Sequence, residues 1–190
     1  MDITPSPKDP IILLVNEDEK AARTSIELLE KKGISCRHAS GAHRAIAMIH
    51  DDLAISVVVA NSNMAEIDGI ELVRHLKCNL PGERNIETLL ISSMADRDDA
   101  ITALQLGVID FLIEPVAEDR LVDAVCKAIG AVRSRERSQR DQQRLIMALE
   151  VAHEMNKRHA DFVSMASHEF RTPLAVRDAA AQRLPKHHET

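Results

Sequence analysis

Aromatic side chains are scarce in this chain of 190 residues: three phenylalanines, no tryptophan and no tyrosine. A core without large rings must be aliphatic, packed from Ile, Leu, Val, Ala and Met, and the 45% hydrophobic content is enough to build one. The three cysteines, Cys36, Cys78 and Cys126, are odd in number and far apart, which fits neither a disulfide framework nor a zinc site and predicts reduced structural thiols. Positive charge is in deficit: the net charge of −6 argues against nucleic acid as the main partner. Long apolar runs are absent, and Met1 to Pro10 lacks a signal peptide's hydrophobic stretch, so the expected location is cytoplasmic with no membrane contact. The six glycines form no phosphate-cradling loop.

What is present is a regular alternation. The run Ile11-Ile12-Leu13-Leu14-Val15 is short and wholly apolar, as in a strand buried on both faces, and it switches abruptly to Asn16-Glu17-Asp18-Glu19. The spacing of Ala22, Ile26 and Leu29 predicts a helix over 21–29, stopped by Gly33. The cycle then repeats. Strands are expected at 34–39, 55–60, 88–91 and 109–113, helices at 42–49, 70–76 and 100–106, and a fifth helix from Glu118 onward. Five strands alternating with five helices predict an α/β fold, an open, doubly wound parallel sheet with helices on both faces. The functional site of such a sheet lies at the carboxyl ends of its strands.

The fifth helix has no stop signal, because between Pro115 and Pro173 there is no proline and only one glycine, Gly130. Val122, Val125, Ile129 and Val132 form an apolar stripe; residues 133–144 then have no apolar side chain and five arginines. Apolar spacing resumes at Leu145, Ala148, Ala152 and Met155 and continues through His159, Phe162 and Ala166, out of register with the first stripe. The expected organisation is a lead-in at 1–10, an α/β domain at 11–130, a helical signalling linker at 131–160 and a further helix at 161–190. A polar, hydrated centre and a C-terminal dimer seam fit the pattern; a solvated linker helix is the alternative.

Three landmarks carry a family resemblance: Met64 followed by Asp68-Gly69, Ser92, and Asp110-Phe111-Leu112-Ile113-Glu114-Pro115. Each falls at the end of an expected strand, and together they resemble the response-regulator receiver domain. That resemblance implies a flavodoxin-like (βα)5 fold. It implies a phosphoacceptor aspartate after strand three, an acidic pair after strand one that holds Mg²⁺, a Thr or Ser after strand four and a Lys after strand five. Several of these positions are changed here. Seven residues before Asp68 stands Asn61, whose amide does not form the acyl phosphate that a carboxylate forms. The acidic pair is Asn16-Glu17, which loses an anionic oxygen donor of the kind Mg²⁺ requires. Glu114 replaces the lysine, and only Ser92 keeps its hydroxyl.

The sum of formal charges at the site is nonetheless the family's own. The substitutions fit either simple drift or a locked regulatory module. The resemblance thus implies a degenerate pseudo-receiver that works by association through helix four, strand five and helix five, with Phe111 at the aromatic switch position. Ala100, Ala103 and Leu104 are either interface residues or core-facing positions of an amphipathic helix.

Residues 162–174 read Phe-Val-Ser-Met-Ala-Ser-His-Glu-Phe-Arg-Thr-Pro-Leu. They resemble the H-box of histidine-kinase dimerisation helices. By that resemblance His168 is the phosphoacceptor, its neutral imidazole being a competent nucleophile near neutral pH. Glu169 would fix the ring tautomer, Thr172 would help orient water, and Pro173 would bend the helix. The remaining histidines read as scattered surface residues.

Only 22 residues follow His168, too few for a second dimerisation helix, and no ATP-binding domain is expected, so this chain alone should not phosphorylate itself. The tail 184–190 does not read as helix. No cofactor or metal is expected; Mg²⁺ and ATP enter only with a kinase catalytic domain supplied elsewhere. The expected function is two-component signalling, in which a pseudo-receiver regulates or dimerises a histidine kinase. The expected partners are a second copy in a parallel homodimer and a kinase catalytic domain or partner response regulator. The alternatives are a stand-alone decoy or a histidine phosphotransfer intermediate.

Overall fold

The computed structural model describes residues 10–80, 84–93 and 97–181, with the side chains at 97, 164 and 166–181 outside the described set. The apolar runs become β1 (Ile11–Val15), β2 (Cys36–Ala39), β3 (Ile55–Asn61), β4 (Glu87–Ser92) and β5 (Asp110–Ile113). Between and after them lie α1 (Glu19–Lys31), α2 (Ala42–Asp51), α3 (Gly69–Asn79), α4 (Arg97–Gln105) and α5 (Glu118–Ala181). The helices are mostly longer than hydrophobic spacing predicts, and at α1 and α3 a polar cap sets the start. The Asp18 carboxylate accepts the backbone N–H of Lys20 and of Ala21, which starts α1 before its first buried residue. Asp68 caps α3 in the same way, accepting the Glu71 N–H at 2.7 Å.

All strand pairs are parallel, in the order β2-β1-β3-β4-β5. The order reverses direction at β1, so successive crossovers place helices on opposite faces. The side-chain period of two then explains the unbroken apolar strands. Leu13, Val15, Val58 and Ala60 face one core, with Leu72 and Val73 of α3. Ile12, Leu14, Val57 and Val59 face the other, with Leu29 of α1 and with Leu121, Val125 and Val132 of α5.

The sheet-facing stripe of α5 differs from its sequence-based expectation. Leu121, Ala124, Val125, Ala128 and Val132 are buried, while Val122 and Ile129 are only half-buried flanks. Small alanines seat a helix close to a sheet, and a pattern built on the β-branched residues alone misses them. In α4 the open question resolves by position: Ala103 is fully buried in the core, whereas Leu104 is 63% exposed.

Compact units divide the chain between Ser138 and Gln139, the second unit being the remainder of α5 and the tail. The helix runs on through Pro173 to Ala181. Residues 182–190, including the tail expected to leave the helix, lie outside the described residues. Among the described residues no helix is long and apolar enough to cross a membrane.

Candidate functional site

All five parallel strands end at one edge of the sheet, and every substituted position of the resemblance lies there. Asn16 is the first residue beyond β1 and is half-buried. Its Oδ1 accepts the Asp18 N–H at 2.9 Å, and its backbone carbonyl lies 2.9 Å from His38 Nε2 on the neighbouring β2. Asn61 ends β3, also half-buried, and its Oδ1 accepts the Asn63 N–H at 2.9 Å. In both cases the amide folds the following loop onto itself, a task a carboxylate oxygen also performs. Ser92 ends β4 and is fully buried; its carbonyl accepts the Glu114 N–H at 2.8 Å, which fixes the start of the loop after β5.

Asn16, Asn61 and Glu114 meet in one cleft of about 540 Å³ between α1 and the β5–α5 turn. Leu14, Val59 and Ile91 lie beneath it, and Thr24, Ser25, Glu118 and Leu121 complete the walls. Glu17 is not among the residues lining this cleft. Its Oε1 accepts the Ala65 N–H at 2.8 Å, and it lines a separate groove with His43 and Glu66. The expected pocket is therefore divided: two amides and Glu114 share one space, and Glu17 holds the loop after β3.

Gly69 fixes the depth of the site. A Cβ built there would lie 2.5 Å from the carbonyl oxygen of Asn61 and 2.9 Å from Leu90 Cδ2. Only hydrogen lets the first residue of α3 approach the end of β3 this closely.

The donor set does not suit the Mg²⁺ that the family resemblance implies. A hard divalent cation takes anionic oxygens from a compact group. Here the Oδ1 atoms of Asn16 and Asn61 belong to neutral amides, and the carboxylate of Glu17 is turned to the Ala65 N–H. Among the described residues no group of three or more His, Cys, Asp or Glu side chains is placed to hold a metal.

Phe111 is half-buried on β5 and packs against the core shared with Ala103. On α4 and β5 the large apolar side chains of Ile101, Leu104 and Ile113 are exposed. Residues 168, 169 and 172 lie on the helical backbone of α5, but the side chains of His168, Glu169 and Thr172 are outside the described set.

Sequence reasoning missed two participants in the site and one buried ion pair away from it. His38 and Glu118 reach the site only through tertiary structure. Glu87, which is buried, forms an ion pair with Arg135 of α5 at the opposite, amino edge of the sheet.

Residues 12–126 match the response regulator receiver domain family. The chain belongs to that family. Among its relatives, this receiver is 25% identical over 174 residues to the two-component response regulator PprB of Pseudomonas aeruginosa, covering 90% of this chain and 63% of that protein. It is 30% identical over 122 residues to the transcriptional regulatory protein ZraR of Salmonella typhimurium, covering 64% of this chain and 27% of that protein. The chain thus spans less than two thirds of the length of either relative.

Among solved structures, a response regulator receiver protein from Pseudomonas putida superposes with a TM-score of 0.59 at 25% identity, covering 64% of this chain and 99% of that one. A receiver domain from Clostridium thermocellum gives 0.60 at 23% identity over 65% of this chain and 97% of that one, a likeness of fold. Membership places the receiver in two-component signal transduction.

Proposed function

We propose that this receiver signals without taking a phosphoryl group, and that its α5 helix couples it to a phosphoacceptor histidine, His168. The observation that carries the first half is Asn61 at the carboxyl end of β3, in one cleft with Asn16 and Glu114. A neutral amide is a poor nucleophile, and a carboxylate opposite it repels the incoming anion that a lysine would attract. Signalling then proceeds through association. The apolar patch of Ile101, Leu104 and Ile113 on α4 and β5 is the surface offered to a partner.

The second half rests on the H-box resemblance of residues 162–174 and on the helix that carries them. Beyond residue 139 the helix exposes Leu145, Leu149, Met155 and Phe162, each at 58% or more. Apolar residues so spaced on a helix are covered by a second helix of the same pattern, so a parallel homodimer through this seam is the proposed state. Receiver association would then set the rotation of the paired helices and the presentation of His168 to a kinase catalytic domain.

The test is labelling of the full chain. Incubation with Mg²⁺ and acetyl phosphate is expected to leave residues 1–138 unmodified. An active histidine-kinase catalytic domain with ATP is expected to give acid-labile phosphate that is lost in His168→Gln. Base-labile phosphate on the receiver half would overturn the first part, and labelling indifferent to His168→Gln would overturn the second.

A further inference from the structure

The cleft at the carboxyl edge has a composition that phosphoryl chemistry does not explain. Its floor is apolar, formed by Leu14, Val59 and Ile91, and its volume of about 540 Å³ lies within the ~300–1,000 Å³ typical of small-molecule sites. Two carboxylates, Glu114 and Glu118, stand on the β5–α5 side, and among the described residues no lysine, arginine or histidine lines the space. An anion entering would meet like charge with no counter-charge within the cleft. A cation with an apolar body would meet carboxylates at its head and aliphatic side chains along its length. The side chains of Asn16 and Asn61 add neutral amide groups to the walls.

We propose that this cleft binds a small organic cation, a primary amine carried on an apolar body, between α1 and the β5–α5 turn. The inference deepens the phosphate-free reading of the same site. Because Glu118 and Leu121 belong to the first turn of α5, an occupant touches the helix that leads towards His168. Binding would thus bias the position of that helix by direct contact.

A matched series on the full chain tests this: 1-hexylammonium, 1-hexanol and hexanoate, which share one apolar body and differ in head charge. Titration followed by amide chemical shifts is expected to show hexylammonium binding in the millimolar range, with shifts at Thr24, Ile91 and Val116. Hexylammonium should bind roughly five-fold more tightly than hexanol, the worth of a partly exposed ion pair, and hexanoate more weakly than either. Glu114→Gln with Glu118→Gln should remove the preference for the ammonium and leave hexanol affinity unchanged. As a second variant, Ala21→Leu, on the α1 wall, should weaken both. Equal binding of all three probes, tighter binding of hexanoate, no saturable shift with any of them, or a preference that survives the double substitution would overturn the proposal. None of these outcomes depends on acetyl-phosphate labelling, so failure here is distinguishable from failure of the phosphate-free reading.

Discussion

Asn61 differs from the aspartate expected of a receiver by one atom's replacement, NH₂ for O⁻, and its backbone role survives the change: its Oδ1 still accepts the Asn63 N–H. Restoring the chemistry should therefore not require refolding. Asn16→Asp, Asn61→Asp and Glu114→Lys together are expected to give Mg²⁺-dependent labelling by acetyl phosphate, read on phosphate-affinity gels; an unlabelled triple variant would place the block elsewhere. Gly69→Ala drives a methyl group into the Asn61 carbonyl and should lower stability by about 1–3 kcal/mol, seen as a lower urea midpoint at unchanged slope.

Cys36 is half-buried, and burial first, with Glu30 nearby second, pushes its thiol up from 9.0 to about 12. The fold thus prefers the neutral thiol. Its contribution to stability is complete below pH 9 and is lost as pH rises towards 12, since the unfolded chain releases the proton first. Near pH 8 a thiol reagent is expected to modify the exposed Cys78 and Cys126 quickly and Cys36 slowly, as mass spectrometry of the native protein would show.

At this scale the sequence was informative where a residue's place follows from the end of a strand. Asn16, Asn61, Ser92 and Glu114 follow from their distance to apolar runs and landmarks in the sequence. The division of the pocket was not legible, because the hydrogen bond that turns Glu17 to Ala65 joins residues from two loops brought together only by β1–β3 pairing.

Elements were legible in proportion to how far hydrophobic burial alone defines them. β1 coincides with its apolar run, and β3 extends past its own only by Asn61. β4 begins one residue earlier than its run suggests, at Glu87, a charged residue that hydropathy assigns to the surface and that the structure leaves 2% exposed. Arg135 sets an opposite charge against that buried carboxylate, which lowers the cost of burying it. Arg135→Ala should leave that carboxylate buried without its partner and cost about 1–3 kcal/mol in chemical denaturation. Adding Glu87→Gln should recover part of the loss, because a neutral amide is cheaper to bury. If the double variant is as unstable as Arg135→Ala, packing of the arginine stem rather than charge holds α5 there.

The whole molecule contains one helix with two kinds of surroundings. Its first turns fill their apolar face against a sheet, while residues 145–165 present large aliphatic side chains to solvent. Exposure of that kind predicts self-association. Light scattering coupled to size exclusion should report a dimer, and Met155→Glu with Phe162→Glu should yield monomer while the receiver's circular dichroism transition is retained. A wild-type chain that is monomeric at high micromolar concentration would remove the seam from the account.

The absence of any break from Glu118 to Ala181 has a further consequence. An α-helix advances by about 100° per residue, so deleting one residue between the two regions turns everything downstream by more than a quarter of a circle, whereas removing seven nearly restores the original facing. Where the two ends must keep phase, lengths in this lineage can drift only in steps close to seven, and such spacing among homologous chains would record whether facing, or mere connection, is what evolution has kept.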